Sequence, residues 1–317
     1  MAVSQKQIAE RLGVSIALVS RVLSGKAREV GIADVTIEKV MKATEEMGYV
    51  PSAAALTLKG KSSRTIGVVV YDFRDPFFGT IIEKLQEQAH EQGYSLVLAG
   101  FKGRHPAESD LAPLRKHAID GLIVIGSAPR SEWMDTFRQM PVARIGHGSP
   151  EEASLQICVD ESDAARQLLE HLISKGRKKV AFVGANLLSH SMRFHALEKT
   201  GREFGVKVDN HLWMADGFEA GLQGTKNLLA DDISGLALIC ATDAIAMGAL
   251  HALHDAGVHI PVTGFDDIPA AEQFIPPITT IRQPVEEMAK LAFRSVVEQG
   301  EPSEILLKGK LLVRSSS

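Results

Sequence analysis

Arg21 is the side chain whose type and setting most directly suggest chemistry. It lies six positions after Ser15, which can cap a helix that turns Val19, Val22 and Leu23 inward and Ile16, Ala17, Ser20 and Arg21 outward. Upstream, Ser4 followed by Gln7 has the pattern of a capping box, Ile8, Ala9 and Leu12 share one face, and Gly13 stops the helix. Two short helices joined through Gly13 and Val14 predict a helix-turn-helix, in which the N-terminal residues of the second helix meet base edges in the major groove. A guanidinium can bond guanine O6 and N7 together, whereas Ile16 and Ala17 offer apolar contact, for instance to a thymine methyl. The plainer reading of the same residues is a solvated helix face.

Catalytic constellations are not found. Gly60-Lys61-Ser62 matches the end of a phosphate loop, but Ala55 stands where its first glycine belongs and no strand precedes it. His90-Glu91 lacks the second histidine of a zinc-protease helix, and there is no Gly-x-Ser-x-Gly elbow. The eleven histidines show no metal-ligand spacing, so neither metal nor cofactor is expected. Cys158 and Cys240 each sit in an apolar run and read as buried free thiols. The reading is a binding protein, not an enzyme.

Charge is divided unevenly along the chain. Residues 1–64 hold ten Lys/Arg against six Asp/Glu, and the remainder holds 25 against 33, so a basic module sits on an acidic body although the formal net charge is -4. That asymmetry suits a small phosphate-binding piece attached to a sensor. The 317 residues exceed one ordinary core, predicting two or three compact units. The N-terminus has no basic region leading into an apolar stretch, and no run of about 18 apolar residues occurs, so the expected place of action is the cytoplasm, without a membrane contact.

A third helix is expected from Val35 to Met47, with Ile37, Val40 and Met47 covering the first two, and Gly48 ends it. Tyr49 to Leu58 then forms a helix-prone stretch too short to be stable alone. Val14-Ser15-x-x-x-Val19-Ser20-Arg21-Val22-Leu23, Gly48-Tyr49-x-Pro51 and Ala55-x-x-Leu58 resemble the headpiece and hinge helix of the lactose-repressor family, and Ser24–Val30 resembles the insertion of its fructose- and sucrose-type members. The resemblance implies that Ser15, Ile16, Ala17, Ser20 and Arg21 contact operator DNA with Ala55 and Leu58, and that Leu58 is the wedge that kinks the minor groove. Ser52, Leu56 and Leu18 depart from the family's usual Asn, Arg and Thr.

From Thr65 the pattern changes to short apolar runs separated by amphipathic stretches. Ile66–Val70, Leu96–Leu98, Leu122–Ile125 and Val142–Ile145, and later Val180–Val183, Leu236–Ile239 and Val262–Phe265, read as buried parallel strands. Helices such as Phe78–Glu91 and Ala244–Ala256 lie between them. The expected class is therefore α/β: a three-helix headpiece and hinge helix, then two doubly wound parallel-sheet lobes of the periplasmic-binding-protein kind, with a cleft where strand ends converge.

Asp75-Pro76-Phe77-Phe78, Thr242-Asp243-x-x-Ala246-x-Gly248, Gly264-Phe265-Asp266-Asp267 and Pro277-x-Thr279-Thr280-Ile281-Arg282-Gln283-Pro284 extend the resemblance over the whole chain. It implies a headpiece at 1–50, a hinge at 51–64 and a core at 65–317. The first lobe covers about 65–160 and 282–304, the second about 161–281 and 305–317, with Ile305–Val313 returning as a strand. It also draws Phe77, Phe78, Ser189, Arg193, Phe218, Thr242 and Asp266 into an effector cleft, and His147 from the loop after a strand. Aromatic faces would cover a sugar, Arg193 would donate to its hydroxyls and Asp266 accept from them. Two segments differ from the family: Ala196-Leu197, and a shortened loop at Pro261-Val262.

The expected protein is a homodimeric repressor whose affinity for double-stranded operator DNA is set by a small metabolite, a sugar or sugar phosphate, acting as inducer or corepressor. Its competitors are a sugar-binding protein without operator specificity and a regulator that recruits a protein corepressor.

Overall fold

The computed structural model describes residues 3–49, 62–101, 106–128, 132–149, 151, 153–213, 217–298 and 303–317. Its contacts divide the chain into two compact units, Met1–Ser63 and Arg64–Ser317. Among the described residues no helix is long and apolar enough to cross a membrane. The expected hinge helix, with Ala55 and Leu58, lies outside the described residues.

The first unit holds α1 (Gln5–Leu12), α2 (Ile16–Leu23) and α3 (Asp34–Glu46). Ser4 and Gln7 form the capping box reciprocally: Ser4 Oγ accepts from the Gln7 amide and Gln7 Oε1 accepts from the Ser4 amide at 2.8 Å. Gly13 ends α1 at φ 66°, a left-handed conformation that a side chain would strain. Ser15 Oγ then caps α2 by accepting from the Leu18 amide at 3.2 Å. Ile8, Val19 and Val40 are fully buried between the three helices, with Leu12, Leu23, Ile37 and Met47 packed around them. The Ser24–Val30 segment adds Ala27 to that core and turns through a short 3-10 helix.

In the second unit, β1 (Thr65–Val70), α4 (Pro76–Glu91), β2 (Ser95–Gly100), α5 (Glu108–Lys116), β3 (Gly121–Ile125), β4 (Val142–Ile145) and β5 (Leu155–Val159) open the first lobe. The second contains α6 (Glu161–Ser174), β6 (Lys179–Ala185), α7 (Leu188–Phe204), β7 (Lys207–Trp213), α8 (Phe218–Leu228), β8 (Leu236–Cys240), α9 (Asp243–Asp255), β9 (Val262–Asp266), α10 (Pro269–Gln273) and β10 (Thr279–Arg282). The chain then returns through α11 (Val285–Glu298), which packs on α4 and β4 of the first lobe, and ends with β11 (Ser303–Leu307) and β12 (Lys310–Leu312).

The sheet orders are β11-β5-β4-β3-β1-β2 and β12-β10-β9-β8-β6-β7. The first sheet is parallel throughout; in the second, β12 alone runs antiparallel, against β10. Both faces of a parallel sheet are covered, which is why β1, β3, β8 and β9 are buried along their whole length.

Two strand expectations need correction. Leu96–Leu98 belongs to the edge strand β2, where one flank meets solvent, and Leu98 is 41% exposed. The Ile305–Val313 segment is not one strand of the second lobe. It divides at Lys308-Gly309, so that β11 extends the first sheet beside β5 while β12 joins the second beside β10. A Cβ on Gly309 would press on Ile281 Cγ2 at 2.5 Å, so this crossing passes close over β10.

Glycines set the packing of α8 on α9. A Cβ on Gly221 would overlap the Ile245 carbonyl, and one on Gly248 the Phe218 carbonyl, so the two backbones touch reciprocally. Gly248→Ala should therefore overpack this contact and lower the urea midpoint of the core by an amount corresponding to about 1–3 kcal/mol.

Candidate effector cleft and DNA-reading helix

The carboxyl ends of strands from both lobes converge on a cavity of about 440 Å³. The first lobe supplies Phe77 and Phe78 from the start of α4, Gly126 and Ser127 after β3, and His147 after β4. Asp75 Oδ1 caps α4 by accepting from the Phe77 amide at 2.9 Å, and Pro76 occupies the first turn, where its missing N–H costs nothing. This cap fixes the aromatic pair, whose ring centroids are 6.1 Å apart; Phe77 is buried and Phe78 half-buried.

Arg193 of α7 is the central cation of the opposite wall. Its Nε and Nη2 donate to Glu161 Oε2 and Oε1, each at 3.0 Å, Nη1 donates to the Ala241 carbonyl, and the guanidinium stacks 3.4 Å from the Phe265 ring centroid. A guanidinium carries five N–H donors, so three are committed and two remain for a ligand. Burial pushes the Glu161 carboxyl upward and the facing Arg193 charge opposes that shift. The pair is bidentate and nearly dry, with side chains 7% and 8% exposed.

Asp266 ends β9 at φ 108°, a backbone conformation rare outside glycine. Its Oδ1 accepts from Gln283 Nε2 at 2.6 Å. Burial pushes its carboxyl well above the usual range, again opposed by Arg193. Thr242 caps α9 by accepting from the Ile245 amide, and Ser189 lines the cleft from the first turn of α7. His190 is buried behind it, with Nδ1 accepting from the Ala185 amide at 2.9 Å. Desolvation and then Arg193 push it down to about 3, so it is neutral. His147 is lowered by burial and by Arg193 in the same way.

Phe77, Phe78, His147, Ser189, Arg193, Thr242 and Asp266 are thus brought together, and Phe218 is not. It is 43% exposed and lies 5.6 Å from the His251 ring, outside the cleft. Phe218 opens α8, its carbonyl packs on Gly248 of α9, and its ring lies beside His251 of that helix. Gly217, its neighbour, lines the cavity instead. Glu161, Gln283 and His190 also line the cleft, although the sequence pattern assigns none of them a ligand role. Glu161 was accessible in principle, because it follows a strand end, where ligand sites of parallel sheets form.

In the first unit Ile16, Ala17 and Arg21 form the outer side of α2, with Ser15 at its cap and Ser20 half-buried. Ile16 is 48% exposed, an apolar side chain presented to solvent beside the cap. Arg21 makes no ion pair among the described residues, whereas Arg11 pairs with Glu46 and Arg28 with Asp34.

Residues 5–52 match the model of bacterial regulatory proteins of the lacI family, and residues 169–317 match a periplasmic binding protein-like domain. The HTH-type transcriptional repressor PurR of Vibrio parahaemolyticus is 32% identical over 316 residues, covering 94% of this chain and 92% of its own. The chain belongs to the lacI family. This lacI-family regulator has the fold of the Lac repressor dimer bound to operator and the anti-inducer ONPF, at TM-score 0.83 and 24% identity, covering 100% of this chain and 99% of that one. A LacI family transcriptional regulator from Enterococcus faecium with bound ribose has TM-score 0.71 and 22% identity, covering 80% of this chain and 98% of its own.

Two outcomes follow for the regulator's core. Glu161→Ala leaves Arg193 buried without its carboxylate and should cost about 3–5 kcal/mol in denaturant unfolding. Asp243, buried with Oδ2 accepting from the Ile268 amide at 2.9 Å, is pushed up to about 7 by desolvation. The folded state then holds a proton that the unfolded chain releases near pH ~4, so this group makes stability fall as pH rises from about 4 to 7 and level off above. Urea midpoints across that range should show the fall in wild type and a shallower one in Asp243→Asn; identical slopes would reject the assignment.

Proposed function

We propose that this protein is a transcription repressor that binds double-stranded operator DNA as a homodimer and acts in the cytoplasm. Residues 1–50 are its headpiece, 51–64 its hinge and 65–317 its effector core. Two-fold symmetry calls for a roughly palindromic operator with one α2 helix per half-site. Arg21 reads a base edge, Ile16 and Ala17 make apolar contacts, and Ser15 and Ser20 bond the duplex. Leu58 and Ala55 serve the minor groove. The core binds and does not catalyse.

The effector is a neutral sugar, and the observation that carries this is the hydrogen-bonding character of the cleft, whose two arginines are already paired with carboxylates. Its described lining includes Asp72, Asp75, Glu161 and Asp266 against two arginines. Arg74 is held by Asp72, with Nη2 to Oδ2 at 2.6 Å, and Arg193 by Glu161. Both cations are thus committed to carboxylates, and acceptors remain in excess. Hydroxyl groups suit such a wall, donating to Asp266 and Asp75 and accepting from the remaining Arg193 donors. A phosphate brings acceptors and no donors, and would face carboxyl oxygens with both arginines already paired. The ribose carried by the Enterococcus faecium relative supports the same class.

Selection from random duplexes with the full-length protein, repeated with neutral sugars and their phosphates, tests this reading. A palindrome whose retention shifts with one neutral sugar is expected. A shift produced only by phosphates would overturn the effector class. Absence of any sequence preference would favour a sugar-binding protein, and preference gained only with an added partner protein would favour a recruited corepressor. On the selected duplex, Arg21→Ala should lose about 1–3 kcal/mol and relax specificity at one base pair, leaving sugar binding intact.

A further inference from the structure

Three adjacent strands place an imidazole, a thiol and a carboxylate together at the rim of the first lobe. Cys158 lies on β5, and Glu304 lies on β11, which pairs with β5 in the register Glu304 to Gln156 and Leu306 to Cys158. His147 follows β4, on the other side of β5, two residues beyond Ile145, whose partner is Ile157. In a parallel pair, residues in register point to the same face, so Cys158 and Glu304 project from one side of the sheet. The loop carrying His147 is fixed over them at three points. Gly146 donates to the Ile157 carbonyl at 2.9 Å, the His147 amide to Ser127 Oγ at 2.9 Å, and the Gly148 amide to Gln156 Oε1 at 3.2 Å.

The result is a set of donor atoms, one from each residue, that all lie within 4.8 Å of one another. Bond lengths of about 2.0–2.3 Å in a tetrahedral zinc site put ligand atoms roughly 3.3–3.7 Å apart. The cluster is therefore at most an ångström or so wider than a filled site, a gap that the exposed Glu304 can close by a change of rotamer. Two further observations point to a ligand. His147 Nε2 is shielded from solvent and has no hydrogen-bond partner among the described residues, a state that a buried polar atom seldom keeps without cause. Glu304 makes no ion pair among the described residues, although it faces the thiol and the imidazole closely enough to influence both.

We propose that His147, Cys158 and Glu304 bind a divalent cation of the zinc class. Thiolate and imidazole select zinc or cobalt over magnesium and calcium, which prefer all-oxygen shells. The Cys158 thiol gives up its proton on coordination, the Sγ lone pair forms the bond to the metal, and the proton passes to solvent. Three protein ligands leave a coordination position for water. His147 and Cys158 both line the effector cavity, so the ion would sit in its wall and withdraw the imidazole from the effector.

Cobalt(II) titration of the chelator-stripped full-length protein tests the site with no effector present, so it is independent of the sugar reading. One equivalent should bind with a thiolate-to-cobalt charge-transfer absorption and the strong visible bands of a four-coordinate ion, and zinc should displace it. Cys158→Ser should abolish the charge-transfer band while Cys240→Ser retains it. Glu304→Gln, an exposed change that leaves the fold intact, should weaken zinc at least about tenfold in competition with a chromophoric chelator. A titration without the thiolate band, or metal affinity unchanged in both Cys158→Ser and Glu304→Gln, overturns the proposal.

Discussion

The Arg193–Glu161 pair is the interaction on which the rest of the core depends. Two opposite charges withdrawn from water survive only with near-ideal geometry and further hydrogen bonds, and here the carboxylate takes both of its partner's forked donors while the Ala241 carbonyl takes another. Phe265 covers the guanidinium face. The arrangement fixes α7 against the start of α6 and the ends of β8 and β9, which are the elements that build one wall of the cleft. It also shapes the electrostatics: Arg193 counters the desolvation of Glu161 and Asp266, and adds to the desolvation that lowers His190 and His147.

The same pair lies at a crossing between the lobes. The Asp160 amide donates to Leu307 of β11 at 2.8 Å while its carboxylate caps α6, so one residue joins the first sheet to the helix that begins with Glu161. At the second crossing Gln283 bonds Asp266 in the cleft. At the third, Lys308 pairs with Asp163 at 3.0 Å and the Gly309 carbonyl accepts from Gln167 at 3.0 Å, both on α6. Every chain that connects the lobes is thus tied to a cleft residue or to α6. A ligand that alters the Arg193 or Asp266 contacts therefore touches groups tied to the segments that join the lobes, and the proposed effector control would work through them.

Local signals made the headpiece legible: the Ser4 and Ser15 caps, Gly13 and the spacing of Ile8, Val19 and Val40 are all short-range. The strands buried on both faces were legible as continuous apolar runs. β5, β7 and β10 were harder, since Lys207–Trp213 and Thr279–Arg282 mix polar residues into the run and only their pairing makes them strands. The divided C-terminal segment depended on which sheet edge each half could reach. Of the residues expected in the cleft, Phe218 lies outside it, where α8 and α9 pack by a long-range backbone contact; Glu161 follows a strand end, but its Arg193 partner is 32 positions away in sequence, beyond any local signal. The His147, Cys158 and Glu304 cluster has no spacing to find at all; strand order alone unites it.

The central claim is that a neutral sugar in the cleft and operator DNA at the headpiece share one coupling free energy. The most direct measurement is the sugar's affinity for the purified protein, with and without saturating operator, set beside the operator's affinity with and without saturating sugar. The account predicts the same factor from both directions, with the same sign, and its loss when Asp266 is replaced by Asn. Sugar binding that is indifferent to operator would contradict it.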